Sequence, residues 1–228
     1  MSESSLTTDL IAKSLVQDLT SMNNWTTLIC CPDRFTSLHV RINEDSLLAG
    51  VRLSQSLFIA VDPSLNVHLL KEDGENAKKG EAVLFIEGSL HSILKAEHLI
   101  LAALGRLSAI TQKAWEITQL IEPLGTQLID CHRYLSERRQ LERAAGYHGG
   151  AKSRRLFFKD CITVGRSHIL ASGGITSCVN RLQESFPPTS KVEVYCTNLS
   201  EIHEALDAGA HLAILPLLPF AELEMAVR

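Results

Sequence analysis

Aromatic residues are scarce in this chain, 5% of 228 positions, and no apolar run approaches the ~20 residues that a helix needs to span a bilayer. A membrane partner is therefore not expected. Basic residues are in slight deficit, 22 Lys and Arg against 26 Asp and Glu, for a net charge of -4. The positive excess that drives nonspecific nucleic-acid binding is missing, so no nucleic-acid partner is expected either. The six cysteines, Cys30, Cys31, Cys131, Cys161, Cys178 and Cys196, never form CxxC. That spacing gives no support to a zinc or dithiol redox motif, and no metal ligands are assigned. Most of the thiols read as small buried hydrophobes, with Cys131, Cys161 and Cys196 in expected strands. The N-terminus MSESSLTTDLIAK lacks the basic-then-apolar order of a secretory signal. The expected location is cytoplasmic.

What is present is enough apolar material for a core, 45% of residues. Leu6, Leu10, Leu15 and Leu19 recur at helical spacing. After them TTLICC, SLHVRI, SLLAGVRL, LFIAV, NVHLLK and AVLFIEG read as short strands between Pro, Asp and Gly turns. A long helical pattern runs from about Ser92 to Ile121, stopped by Pro123 and Gly125. Four apolar strands follow, QLIDC, CITV, VEVYC and LAILP, separated by helical segments. The expected fold class is α/β, with an N-terminal α+β domain and its long connecting helix over residues 1–112, then parallel β/α units over 113–228. Ligands of such units gather at the C-terminal strand ends, here Cys131 to Arg133, Gly165 to Ser167, Tyr195 and Pro216.

A cationic segment occupies this region. Arg133, Arg138, Arg139, Arg143, Lys152, Arg154, Arg155, Lys159 and Arg166 are opposed there only by Glu137, Glu142 and Asp160. If Arg133, Arg155 and Arg166 converge, they can grip a phosphate or dicarboxylate through forked hydrogen bonds. The plainer reading of Arg138, Arg139 and Arg143 is a solvated helix face paired with Glu142 and its neighbours. His132, His148 and His168 lie in the right region for acid/base work, yet a lone histidine is more often a packed or surface residue, and that is the plainer reading of each. The pairs Gly149-Gly150 and Gly173-Gly174 either present amides to an anion or form turns, and Gly209 in DAGAH reads as a helix C-cap.

The stretch from Asp130 to His168, together with HSILKAEHLILAALGRLSAIT, SGGIT, KVEVY and EALDAGAHLAILP, resembles the quinolinate phosphoribosyltransferase family, also called nicotinate-nucleotide pyrophosphorylase (carboxylating). That family carries TRKT, PGLRxxEKxA, GGGxxNHRxxLxD, KDNHI, AGGIT and KIEVE in the same order. The matched positions here include Arg139, Glu142, Arg143, Ala145, Gly149, Gly150, Arg155, Asp160 and His168. The resemblance implies that the second domain is an incomplete, TIM-like β/α barrel. It also implies a site for quinolinate and phosphoribosyl pyrophosphate, with magnesium needed only if transfer is retained and no other cofactor.

Several of the family's site positions differ. The Arg of its ER pair is His98, while Glu97 remains; TRKT reads Cys131, His132, Arg133, Tyr134; NHR reads Ser153, Arg154, Arg155. The Lys and Asp of KDNH are Gly165 and Arg166, the second Glu of EVE is Tyr195, and the Asp of LDN is Pro216. In the GDxTT segment Asn24 replaces the Asp, and Thr26 and Thr27 remain. The sequence ends at Arg228, before the family's SGG and GALTH segments. The resemblance therefore implies a non-catalytic binding or assembly paralogue, with candidate anion-binding residues Arg133, Arg139, Arg154, Arg155, Arg166, His132 and His168 and no assigned catalytic residue. The alternative is an active or divergent phosphoribosyltransferase of NAD biosynthesis, making nicotinate mononucleotide with groups completed by a partner chain. Either way the partners expected are a second copy, or a full-length relative or other protein in a hetero-oligomer, and a small anionic ligand. The terminal run LAILPLLPFAELEMAV and an unclosed sheet edge are association liabilities unless covered.

Overall fold

The structure, a computed structural model, describes residues 12, 14, 16, 25–130, 139–153, 161–216 and 218–227. The chain forms two compact units, Met1–Arg154 and Arg155–Arg228.

In the first unit, α1 (Trp25–Cys30) precedes β1 (Phe35–Arg41), β2 (Ser46–Leu47), α2 (Val51–Val61), β3 (Asn66–Leu69), β4 (Asn76–Ala77) and β5 (Ala82–Ser89). Then come α3 (Leu90–Ile121), a short 3-10 turn and α4 (Arg139–His148). β5 is the centre of an antiparallel sheet ordered β1-β5-β3, with Leu38 and Val67 both opposite Ile86. Leu57 and Phe58 of α2 and Ile93, Ile100 and Leu104 of α3 close over Leu84 and Ile86, and Ala12 and Val16 join the same core. Burying such side chains stabilises the unit by about 1.5–3 kcal/mol each.

Two expected strands are helices. TTLICC forms α1, which buries only Thr27 and so gives an apolar run no sheet to pair with. LFIAV lies inside α2, and of SLLAGVRL only Ser46–Leu47 is strand. The start of α2 is fixed from a distance: Asp73 Oδ1 accepts the Val51 N–H at 2.7 Å, satisfying a free helix-end donor from 22 residues away. Local pattern cannot reveal such a cap.

The long helix is present as expected. Ser89 caps it by accepting the Ser92 N–H at 3.2 Å, and Pro123 and the left-handed Gly125 follow its end. α4 packs on α3: the Thr111 hydroxyl donates to Ala145 O at 2.9 Å, and Arg106 lies 2.6 Å from Glu142. Gly149 comes so close that a Cβ there would collide with the Thr111 carbonyl and approach Ala114 Cβ to 2.6 Å. Of QLIDC, Ile129 makes an isolated parallel bridge to Lys152, and Cys131 lies outside the described residues. The expected N-terminal helix through Leu6, Leu10, Leu15 and Leu19 also falls outside them, apart from the helical positions 12, 14 and 16.

The second unit alternates β6 (Cys161–Val164), α5 (Arg166–Ser172), α6 (Ile175–Ser185), β7 (Lys191–Tyr195), α7 (Leu199–Asp207), β8 (Leu212–Ile214) and α8 (Phe220–Val227). Its sheet is parallel, ordered β6-β7-β8. Val164, Val192 and Val194 pack against Ile169, Ile175, Val179, Ile202 and Ala205, which covers one face. Alternation puts Thr163, Glu193 and Tyr195 on the other. Gly209 adopts φ 87° just beyond α7, the left-handed ending expected of it. The fold is α/β. Among the described residues no helix is long and apolar enough to cross a membrane.

Candidate functional site

The C-terminal ends of β6 and β7 bring one polar cluster together. Arg166 opens α5 directly after β6, and Glu201 lies in the first turn of α7 after β7. Arg166 Nη1 donates to Glu201 Oε1 at 2.6 Å. The other carboxylate oxygen accepts the Thr197 N–H at 2.8 Å and the Thr197 hydroxyl at 2.9 Å. Asn198 completes the turn by accepting the Glu201 N–H at 2.9 Å. Asn198 is thus the cap of α7, while Glu201 ties down the turn that enters the helix and is the counter-ion of Arg166. Burial works against its charge, but the hydrogen bonds from Thr197 and Arg166 outweigh it and hold the carboxyl below its ordinary range. Beneath the cluster the Cys196 thiol donates weakly to Glu201 O at 3.5 Å, and burial, then Glu201 and Glu204, push it up to about 11.

Other sequence-predicted residues are placed as follows. His168 is exposed, and its Nδ1 accepts the Gly165 N–H at 3.0 Å, so the ring caps the start of α5. Arg139 is half-buried at the start of α4 in the first unit. His132, Arg133, Arg154 and Arg155 lie outside the described residues, as does the expected convergence of Arg133 and Arg155 with Arg166. Arg143, expected on a solvated face, reaches Ser153 Oγ at 3.5 Å. Glu97 and His98 are exposed on α3, Thr26 is exposed and Thr27 is buried. The glycine pairs form turns: the Gly149, Gly150, Gly173 and Gly174 amides bond to Ala145, Tyr147 and Ile169 carbonyls. They are not open to an anion.

Two residues escaped the sequence reading. Glu193, 2% exposed, accepts a hydrogen bond from Thr163 across β6 and β7. Glu201 lies 35 residues from its cation, although the Asn198-x-x-Glu201 spacing is a capping-box signal that would have placed it at a helix start. Magnesium takes several oxygen ligands in near-octahedral array. Tyr195 and Pro216 offer no carboxylate, Glu201 is committed to Arg166 and Thr197, and Glu193 is shut into the sheet. The described strand ends do not fit that ion. Among the described residues no three His, Cys, Asp or Glu side chains gather to hold a metal.

A parallel β/α unit with a polar cluster at its strand ends, following an antiparallel α+β unit in the chain, defines the class of an α/β protein. Two family models match: "Quinolinate phosphoribosyl transferase, N-terminal domain" over residues 24–108 and "Quinolinate phosphoribosyl transferase, C-terminal domain" over residues 110–228. The chain belongs to the quinolinate phosphoribosyltransferase family. It is similar to the "Probable nicotinate-nucleotide pyrophosphorylase (carboxylating)" of Synechocystis, 29% identical over 185 residues that cover 81% of this chain and 63% of the relative. It is also similar to the tobacco "Quinolinate phosphoribosyltransferase (decarboxylating) 1b", 27% identical over 77% of this chain and 50% of that protein. The chain therefore spans roughly half to three fifths of these relatives. Among solved structures, the nicotinate-nucleotide pyrophosphorylases of Francisella tularensis and Ehrlichia chaffeensis share its fold, with TM-scores of 0.85 and 0.87 at 24% and 20% identity. Each match covers 100% of this chain and 80% or 81% of the other.

Proposed function

We propose that this chain is a binding or assembly member of its family, tied to NAD biosynthesis, that does not itself carry out phosphoribosyl transfer. The observation that carries this reading is the Arg166–Glu201 pair. It neutralises the cation at the end of β6, while the adjoining strand ends carry Tyr195 and Pro216. Arg139 and the arginines 133, 154 and 155 remain as candidates to hold a small phosphate or carboxylate. A second copy, or a full-length relative or other protein, is the proposed macromolecular partner. Exposed apolar side chains support this: Trp25, Leu28 and Ile29 on α1, and Phe220, Met225 and Val227 on α8. Free thiols among the described residues support a reducing compartment, the cytoplasm.

The test is conversion of quinolinate and phosphoribosyl pyrophosphate with magnesium, following nicotinate mononucleotide, beside a full-length family enzyme. No product above background is expected from the chain alone or mixed with that enzyme beyond the enzyme's own rate. Product from the chain alone would overturn the reading.

Glu193 favours a second reading. A carboxylate buried on the same strand face as Tyr195, with Thr163 donating to it, is a retained acidic group inside the sheet. On that reading the chain is a nicotinate-nucleotide diphosphorylase (carboxylating)-type glycosyltransferase completed by a partner chain. Its test is whether Glu193→Gln removes an activity of the mixed assembly while folding is preserved.

A further inference from the structure

The first unit contains a pocket of ≈ 150 Å³ where α2, α3 and α4 meet. Its walls include Leu53, Leu99, Leu107 and Leu141, and Arg106 and Glu142 also line it. Size and walls suit a small apolar group: an engineered cavity of about 150 Å³ with Leu, Ile and Phe walls holds a benzene ring.

The charged pair narrows the choice. Arg106 Nε donates to Glu142 Oε1 at 2.8 Å, and Nη2 lies 2.6 Å from the same oxygen. Among the described residues, Arg106 Nη1 and Glu142 Oε2 make no hydrogen bond. The pair thus keeps an unused donor and an unused acceptor beside an apolar recess. An apolar anion would gain Arg106 but meet the charge of Glu142; an apolar cation would meet the reverse. A zwitterion meets the pair head to tail and suffers neither repulsion.

We propose that this pocket binds an apolar α-amino acid of about the size of leucine, with its carboxylate on Arg106, its ammonium on Glu142 and its side chain against the leucine walls. The site is independent of the strand-end cluster and of whether the chain catalyses.

The experiment titrates L-leucine into the full chain and follows the methyl resonances of Leu53, Leu107 and Leu141. Isovalerate, which lacks the ammonium, and isopentylamine, which lacks the carboxylate, are titrated in parallel. Leucine is expected to give saturable shifts, and each fragment to bind at least about tenfold more weakly, one lost charged contact being worth about that factor. Arg106→Gln is expected to weaken leucine to a similar degree. Ala102→Trp, placed at an exposed lining position, should block it, with its own thermal midpoint close to that of the parent. No saturable shift with leucine, isovalerate binding as tightly as leucine, or unchanged binding by folded Ala102→Trp would each overturn the proposal. So would methyl shifts that appear on raising protein concentration alone, since the occupant would then be a second copy.

Discussion

Cys196 and Cys30 have the same side chain and opposite surroundings. Cys196 is buried beyond β7 with its thiol pushed up to about 11, whereas Cys30 is exposed on α1. The thiolate is the reactive form, so iodoacetamide near pH 8 is expected to label Cys30 and leave Cys196 unmodified in the native chain, as read by peptide mass mapping. A raised folded value also fixes a sign. The stability contributed by protonated Cys196 is complete below its ordinary value of 9.0 and is lost as pH climbs toward about 11. The urea midpoint should fall across that interval, and fall less in Cys196→Ala. Gly149 makes a different kind of claim. Its closeness to Ala114 and to the Thr111 carbonyl leaves no room for a methyl group, so Gly149→Ala should lower stability by about 1–3 kcal/mol in chemical denaturation.

Among the elements, α7 depends on its first turn. Asn198→Ala removes the side chain that accepts the Glu201 N–H and is expected to cost about 1 kcal/mol. Glu201 sets an acid limb of opposite sign to that of the thiol. With its folded value held below the ordinary 4.5, its stabilisation is present above that value and lost as pH falls through the lowered one. Glu201→Gln should therefore flatten the acid side of the stability profile, measured by thermal melts from pH 6 downward. What the sequence revealed of these elements follows from where their information lies. CITV, VEVY and the helix ending at Ile121 announce themselves through local period and punctuation. LFIAV does not, because the apolar run suits helix and strand alike and the cap that decides it comes from Asp73. Arg166 was legible as a cation after a strand, but its neutralisation by Glu201 was not. That depends on β6 and β7 lying side by side, which no local window contains.

For the whole molecule, the expectation is association. Phe220 on α8 is 91% exposed and Ile29 on α1 is 77% exposed, apolar side chains that a partner surface would cover. Light scattering at micromolar concentration should give a mass above the 25.1 kDa of one chain, and a monodisperse monomer would contradict it. The boundary between units has a consequence for heredity. The family models part between residues 108 and 110, whereas the contacts part between 154 and 155. A recombination crossover at the first point would divide Arg106 from Glu142 and leave the Thr111 hydroxyl to find Ala145 in foreign sequence. A crossover after Arg154 would transmit both pairs intact. Lineages that exchange the parallel sheet should therefore carry α4 along with the N-terminal half, so that the segment inherited as a block is longer than the one that sequence families delimit.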